Sequence, residues 1–152
     1  MGNIFNADFI DFIRALNECE VEYILVGGYA VILHGYNRTT GDLDVWVKPT
    51  DSNYNKLMNS FLKFGLPITA ISKDSFLNTT DFDVFTFGRS PVSIDIMTKV
   101  KGLDFDPVMK DSIEYETDGI RIKVVSYKEL IKSKNASGRY KDKDDILHLK
   151  KK

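Results

Sequence analysis

The chain has 152 residues, 43% hydrophobic and 28% charged, the composition of one soluble folded domain over residues 1–152 rather than a disordered, collagen-like or membrane-spanning chain. Its longest nearly apolar run, Tyr23 to Leu33, holds eleven residues including two glycines, well under the roughly 18 that a membrane helix needs. The net charge of -1 is uneven: 12 Lys and Arg face 18 Asp and Glu up to residue 127, and 9 face 4 from residue 128 on, so an acidic body carries a basic tail.

The first residues contain no basic stretch followed by an apolar one, and Asn6 stands where a myristoylation signal needs Ser or Thr. The lone Cys19 excludes an internal disulfide and has no neighbours spaced for zinc. The expectation is a cytoplasmic protein without membrane contact. Charged tails are most often solvated helix faces, so the basic end is not read as direct nucleic-acid binding.

Phe5, Phe9, Phe12, Ile13 and Leu16 recur every three or four residues behind Asn6, which predicts a capped amphipathic helix ending near Cys19. Tyr23 to Val26 reads as a buried strand running straight into Gly27 and Gly28, and Tyr29 to Leu33 as a short helix closed by Gly35. Residues 42–47 alternate strictly: Leu43, Val45 and Val47 point one way, Asp42, Asp44 and Trp46 the other. Thr50 or Asp51 caps a helix through Leu62, stopped by Gly65 and Pro67. Residues 84–87 and 92–97 are predicted strands around a Gly88 to Pro91 turn, and an Asp118-Gly119 turn predicts a hairpin between residues 113–115 and 120–125. Ser126 and Glu129 form a capping box for a further helix, and a last helix covers residues 142–149. The predicted fold class is α+β, a mixed β-sheet with helices mainly on one face.

The chemistry gathers at the glycine turn and the strand after it. Two glycines between a strand and a helix let the backbone approach a ligand closely, and free amides there suit phosphate. Asp42 and Asp44, two apart on one strand face, repel each other unless a cation lies between them. Asp95, between the inward Ile94 and Ile96, faces outward from a strand that can pair beside theirs. Oxygen-only ligands of this kind suit Mg²⁺ or Mn²⁺, and three aspartates from two strands can hold two ions for in-line displacement at phosphorus. Lys134, Arg139 and Lys141 flank Gly138 between the last two helices, so a loop can return them to the glycine turn to offset phosphate charge. Asp81 and Asp83 lack a preceding strand and glycine pair and read as loop; His34 reads as bonded locally, His148 as surface, and Tyr29 and Trp46 as packing.

The ordered set of Val26-Gly27-Gly28, Asp42-Leu43-Asp44-Val45 and Ile94-Asp95-Ile96 resembles the minimal nucleotidyltransferases of the polymerase-beta-like superfamily. Arg38-Thr39-Thr40 and the tail from Lys134 through Arg139, Lys141 and Asp142 to Asp145 resemble features of its small bacterial, antitoxin-like members. The resemblance implies an enzyme that moves an NMP from an NTP substrate to an acceptor hydroxyl on a small molecule, RNA or protein. Asp42, Asp44 and Asp95 would be the catalytic residues and hold two ions. Gly27, Gly28, Arg38, Thr39, Lys134, Arg139 and Lys141 would bind substrate. Many active members carry Ser where this chain has Gly28, which offers only its backbone amide. The alternative is a nucleotidyltransferase-fold antitoxin or nucleotide-binding module acting with a separate partner protein. The span after Asp95 leaves little room for an all-helical substrate domain, so the expectation is that another chain can complete the acceptor pocket.

Overall fold

A computed structural model describes residues 6–89 and 92–150. Phe5 of the predicted first helix, and residues 90 and 91 of the predicted turn, lie outside them. The elements follow in the order α1 (Ala7–Glu18), β1 (Tyr23–Val26), α2 (Gly27–Leu33), β2 (Asp42–Val47), α3 (Asp51–Phe64), α4 (Lys73–Leu77), β3 (Val84–Arg89), β4 (Val92–Met97), α5 (Phe105–Lys110), β5 (Ile113–Thr117), β6 (Ile120–Val124), α6 (Tyr127–Ser137) and α7 (Tyr140–Lys150). The strands form one mixed sheet in the order β3-β4-β2-β1-β6-β5. The β2–β4 and β1–β6 pairs are parallel and the other three antiparallel, which gives the α+β architecture expected.

Local chemistry sets most element ends. Asn6 Oδ1 accepts the Phe9 N–H at 2.9 Å to open α1, and Thr50 Oγ1 accepts the Asn53 N–H at 3.2 Å to open α3; such caps contribute about 1 kcal/mol each. Gly65, at φ 104°, closes α3 in the left-handed conformation. The Asp118-Gly119 turn has both residues at positive φ, 49° and 75°, the geometry that matches the twist of a two-residue hairpin.

Packing follows the strand alternation. Leu43, Val45 and Val47 are fully buried, as is Ile96 beside them. Against that face Phe61 of α3 meets Phe87 edge-on at 5.3 Å and Phe12 of α1 at 6.2 Å. The first four helices are joined by further ring contacts, Phe9 with Tyr29 and Tyr54 with Phe76. Each fully buried side chain of this kind contributes about 1.5–3 kcal/mol. Asn53 ties α3 to the sheet: its Oδ1 accepts the Glu22 N–H, and its Nδ2 donates to the carbonyls of Glu22 and Lys48.

Two helices depart from the sequence expectation. Lys73–Leu77, capped by Ser72, is too short for a periodic pattern. Phe105–Lys110 contains Pro107 within its first turn, where the absent N–H has no intrahelical acceptor to miss. This second helix matters to the site. Its Phe105 stands edge-on to Trp46 at 5.2 Å, and Trp46 is buried, while Asp42 and Asp44 of the same strand face are only partly covered. Among the described residues no helix is long and apolar enough to cross a membrane.

Candidate active site

The turn between β1 and α2 has no spare residues, because the helix begins at Gly27 directly after the strand. Gly27 has φ 71°, and a Cβ there would fall on the Asp44 carboxylate, so both backbone conformation and space require glycine. A Cβ on Gly28 would lie 2.5 Å from Thr40 Oγ1, 2.9 Å from Thr40 Cβ and 3.4 Å from Arg38 Nη2. The Arg38-Thr39-Thr40 segment therefore folds over the glycine turn, and Thr40 fills the space that a Ser side chain at position 28 would need. Gly28→Ser is expected to destabilise the protein by about 1–3 kcal/mol through overpacking, and adding Thr40→Gly, which removes both the hydroxyl and the Cβ that the new side chain meets, should restore part of it. Equal urea midpoints for wild type and the single variant would count against this packing.

The parallel β2–β4 register sets Asp44 directly beside Asp95, and Asp42 beside Ser93. Ser93 Oγ donates to Asp42 Oδ1 at 2.6 Å, and Thr86 Oγ1 on β3 donates to Asp95 Oδ1 at 2.7 Å. These hydroxyls hold two of the three carboxylates by one oxygen each. Burial pushes the Asp44 carboxyl up to about 7, helped by the charge of Asp95, a hydrogen bond shared with Asp95 and the charge of Asp42; Lys134 pulls the other way. The cluster is short of positive charge, which is the condition a hard cation relieves. Among the described residues no group of three or more His, Cys, Asp or Glu is gathered closely enough to hold a metal ion alone. The donor set still fits Mg²⁺ or Mn²⁺, which keep several waters and take further oxygens from substrate phosphates.

A cavity of about 280 Å³ lies over this end of the sheet, lined by Gly27 and Asp44 on one side and by Lys134 and Arg139 on another. Lys134 is buried, its Nζ 3.1 Å from both Asp142 Oδ1 and Asp145 Oδ2. Arg139 reaches the cavity from a largely exposed position while its Nε donates to Asp142 Oδ2 at 2.8 Å. Burial raises the Asp142 pKa, but hydrogen bonds from Arg139, Ser137 and Lys134 outweigh it and hold the carboxyl well below the usual range.

The other predicted binding residues are placed differently. Arg38 makes a two-pronged bond to Asp145, with Nε to Oδ1 at 2.8 Å and Nη2 to Oδ2 at 3.2 Å, and its Nη1 donates to the Thr39 carbonyl. Its guanidinium thus braces the loop before β2 against α7. Thr39 and Lys141 are exposed and do not line the cavity. The sequence reading missed Lys99, Lys101 and Asp83, which do line it; the signal was the pair of lysines that closely follows the Asp95 strand. His34 is bonded not locally but across 91 residues, Nε2 to the Val125 carbonyl at 2.7 Å. His148 stacks on Tyr36 at 4.1 Å, and Asp81 accepts from the nearby Asn78.

Two solved structures share this architecture. The Thermotoga maritima protein TM1012, described as a candidate nucleotidyltransferase, matches with a TM-score of 0.57 at 13% identity, over 94% of this chain and 92% of its own. The lincosamide antibiotic adenylyltransferase LnuA, solved with lincomycin bound, matches with a TM-score of 0.55 at 15% identity, over 98% of both chains. With a glycine turn beside paired aspartate strands, the fold is that of the minimal nucleotidyltransferases. The chain itself belongs to the DUF6036 family, a nucleotidyltransferase family of unknown function, whose profile matches residues 8–150. No curated protein matches it by sequence.

Proposed function

We propose that the protein moves an NMP from an NTP to the hydroxyl of an acceptor, using divalent cations held by Asp42, Asp44 and Asp95. The observation that carries this reading is the Asp44–Asp95 pair, adjacent on parallel strands, with Asp44 pushed up to about 7 beside the Gly27 backbone. Mg²⁺ or Mn²⁺, two ions in this reading, would neutralise the phosphate oxygens and lower the barrier to attack at the α-phosphorus.

The chain's own groups divide the work. Gly27, which lines the cavity, supports the triphosphate through its backbone with Gly28 buried behind it, and Arg139 at the cavity edge offsets its charge. Asp95, held by Thr86, takes the proton of the incoming hydroxyl. The new bond forms between that oxygen and the α-phosphorus, the bond from the α-phosphorus to the bridging oxygen breaks, and pyrophosphate leaves with the electron pair. LnuA acts on a lincosamide antibiotic, so a small molecule is one candidate class of acceptor.

The test is incubation with NTPs labelled on the α-phosphate, Mg²⁺ or Mn²⁺, and a cell extract. The expected outcome is α-label on an acceptor with release of pyrophosphate. Transfer of γ-label alone would indicate a kinase and overturn the reading. Label on one extract protein would make that protein the acceptor, the outcome at which the transferase reading and an antitoxin acting on a separate partner protein coincide.

A further inference from the structure

Two cations of the cavity are not used by the chain itself. Lys134 and Arg139 are bonded to Asp142, whereas Lys99 and Lys101 line the same cavity, are exposed, and make no ion pair among the described residues. Their loop is held in place: Gly102 has φ 84°, and a Cβ there would lie 2.7 Å from Ala136 Cβ on α6. Val84, Met97 and Val100 give this end of the cavity an apolar wall, and Asp83 stands at the same rim. With Asp44 facing the cations, the two lysines against Asp83 leave that end net positive.

The strand directions place these lysines. β1 and β2 are antiparallel with Val26 opposite Asp44, so the glycine turn lies toward the start of β2, where Thr40 covers Gly28. β4 is parallel to β2 with Asp95 beside Asp44, so Lys99 and Lys101 follow in the opposite direction. The Asp44–Asp95 pair therefore stands between the glycines and the lysines. In-line displacement puts the leaving pyrophosphate and the attacking hydroxyl on opposite sides of the α-phosphorus. With the triphosphate over the glycine turn, the acceptor arrives from the lysine end.

We propose that Lys99 and Lys101 form an acceptor subsite that takes a phosphate group carried near the reacting hydroxyl. The inference rests on the transferase reading above and names the acceptor's chemical class: a phosphorylated hydroxyl compound. Two separate ammonium groups can each meet a different oxygen of one tetrahedral phosphate, whereas a planar carboxylate is better matched by a single guanidinium fork.

The test is a ¹H–¹⁵N NMR titration of the full chain with Mg²⁺ and α,β-methylene-ATP bound, adding glycerol 3-phosphate, glycerate or glycerol. Glycerol 3-phosphate should shift the amides of residues 99–102 saturably, at least tenfold more tightly than glycerate, with no saturable shift from glycerol. Lys99→Ala/Lys101→Ala should weaken that binding at least tenfold while nucleotide affinity holds. Equal responses to the three compounds, or an unchanged response in the double variant, would overturn the subsite. Loss of nucleotide affinity in the double variant would overturn it too, by assigning the lysines to the triphosphate. Unshifted Gly27 and Gly28 signals on adding nucleotide to wild type would count against the transferase reading itself, and the acceptor subsite would fall with it.

Discussion

Asp44→Asn should reduce nucleotidyl transfer by ~10²–10³-fold or more, the scale of losing one preorganised electrostatic group, while the metal-free protein becomes more stable. The two effects have one cause. Asp44 is buried against Asp95 and Asp42, and its pKa rises to about 7 in the fold. Because the folded state holds the proton more tightly than the unfolded one, the contribution of this group is complete below the ordinary carboxylate pKa and is lost as pH rises toward 7. Above that, ionising Asp44 without a cation costs the fold something on the order of 4 kcal/mol. The Asn variant has no such penalty, so its melting temperature should match wild type near pH 4 and exceed it at pH 8. Cation binding requires the ionised carboxylate, so stabilisation of wild type by Mg²⁺ and nucleotide should grow from pH 6 to pH 8 and vanish in the variant. A variant that unfolds in metal-free buffer would make Asp44 a structural residue instead.

Lys134→Met should be among the most damaging single changes to the fold, costing about 3–5 kcal/mol, the usual result of stranding buried charges. Its ammonium lies between Asp142 and Asp145, both fully buried. Arg139 retains Asp142 and Arg38 retains Asp145, but neither bond replaces the central cation they share. The folded pKa of Asp142 is depressed, so its stabilisation is present above the ordinary carboxylate range and is lost as pH falls below it. Removing Lys134 weakens that depression, and acid unfolding should move to higher pH. If Lys134 were only a phosphate ligand, the variant would keep the wild-type urea midpoint and lose nucleotide affinity alone.

The contrast between these two variants marks how far the sequence could be read. Asp42, Asp44 and Asp95 were legible because strand alternation assigns a face and their neighbours Leu43, Val45, Ile94 and Ile96 had to point inward. The turn at Gly27 was legible because few other residues adopt its conformation. Trp46 packs as its residue type implies, but period 2 could not name its cover, which comes from Phe105, fifty-nine residues later, on a helix hidden by Pro107. The tail was visible as a motif, but its charges looked available for phosphate. In the fold, Lys134 is committed to Asp142 and Asp145, and Arg38 to Asp145, a pairing across 107 residues that no local pattern encodes. Lys99 and Lys101 were passed over because their place on the cavity depends on the strand order.

The bond between Arg38 and Asp145 also bears on the order in which the site is assembled. All three aspartates and both glycines precede residue 96, yet the loop that covers Gly28 gains its Arg38 anchor only when α7 docks. During synthesis, a chain that has already released β4 from the ribosome still lacks the partner of Arg38. Closing a loop of this length costs conformational entropy that only the finished contact repays, and such long-range contacts slow folding. The glycine turn and its covering loop should therefore reach their final geometry late, and fragments ending before α7 should carry the aspartates without the finished cover over Gly28.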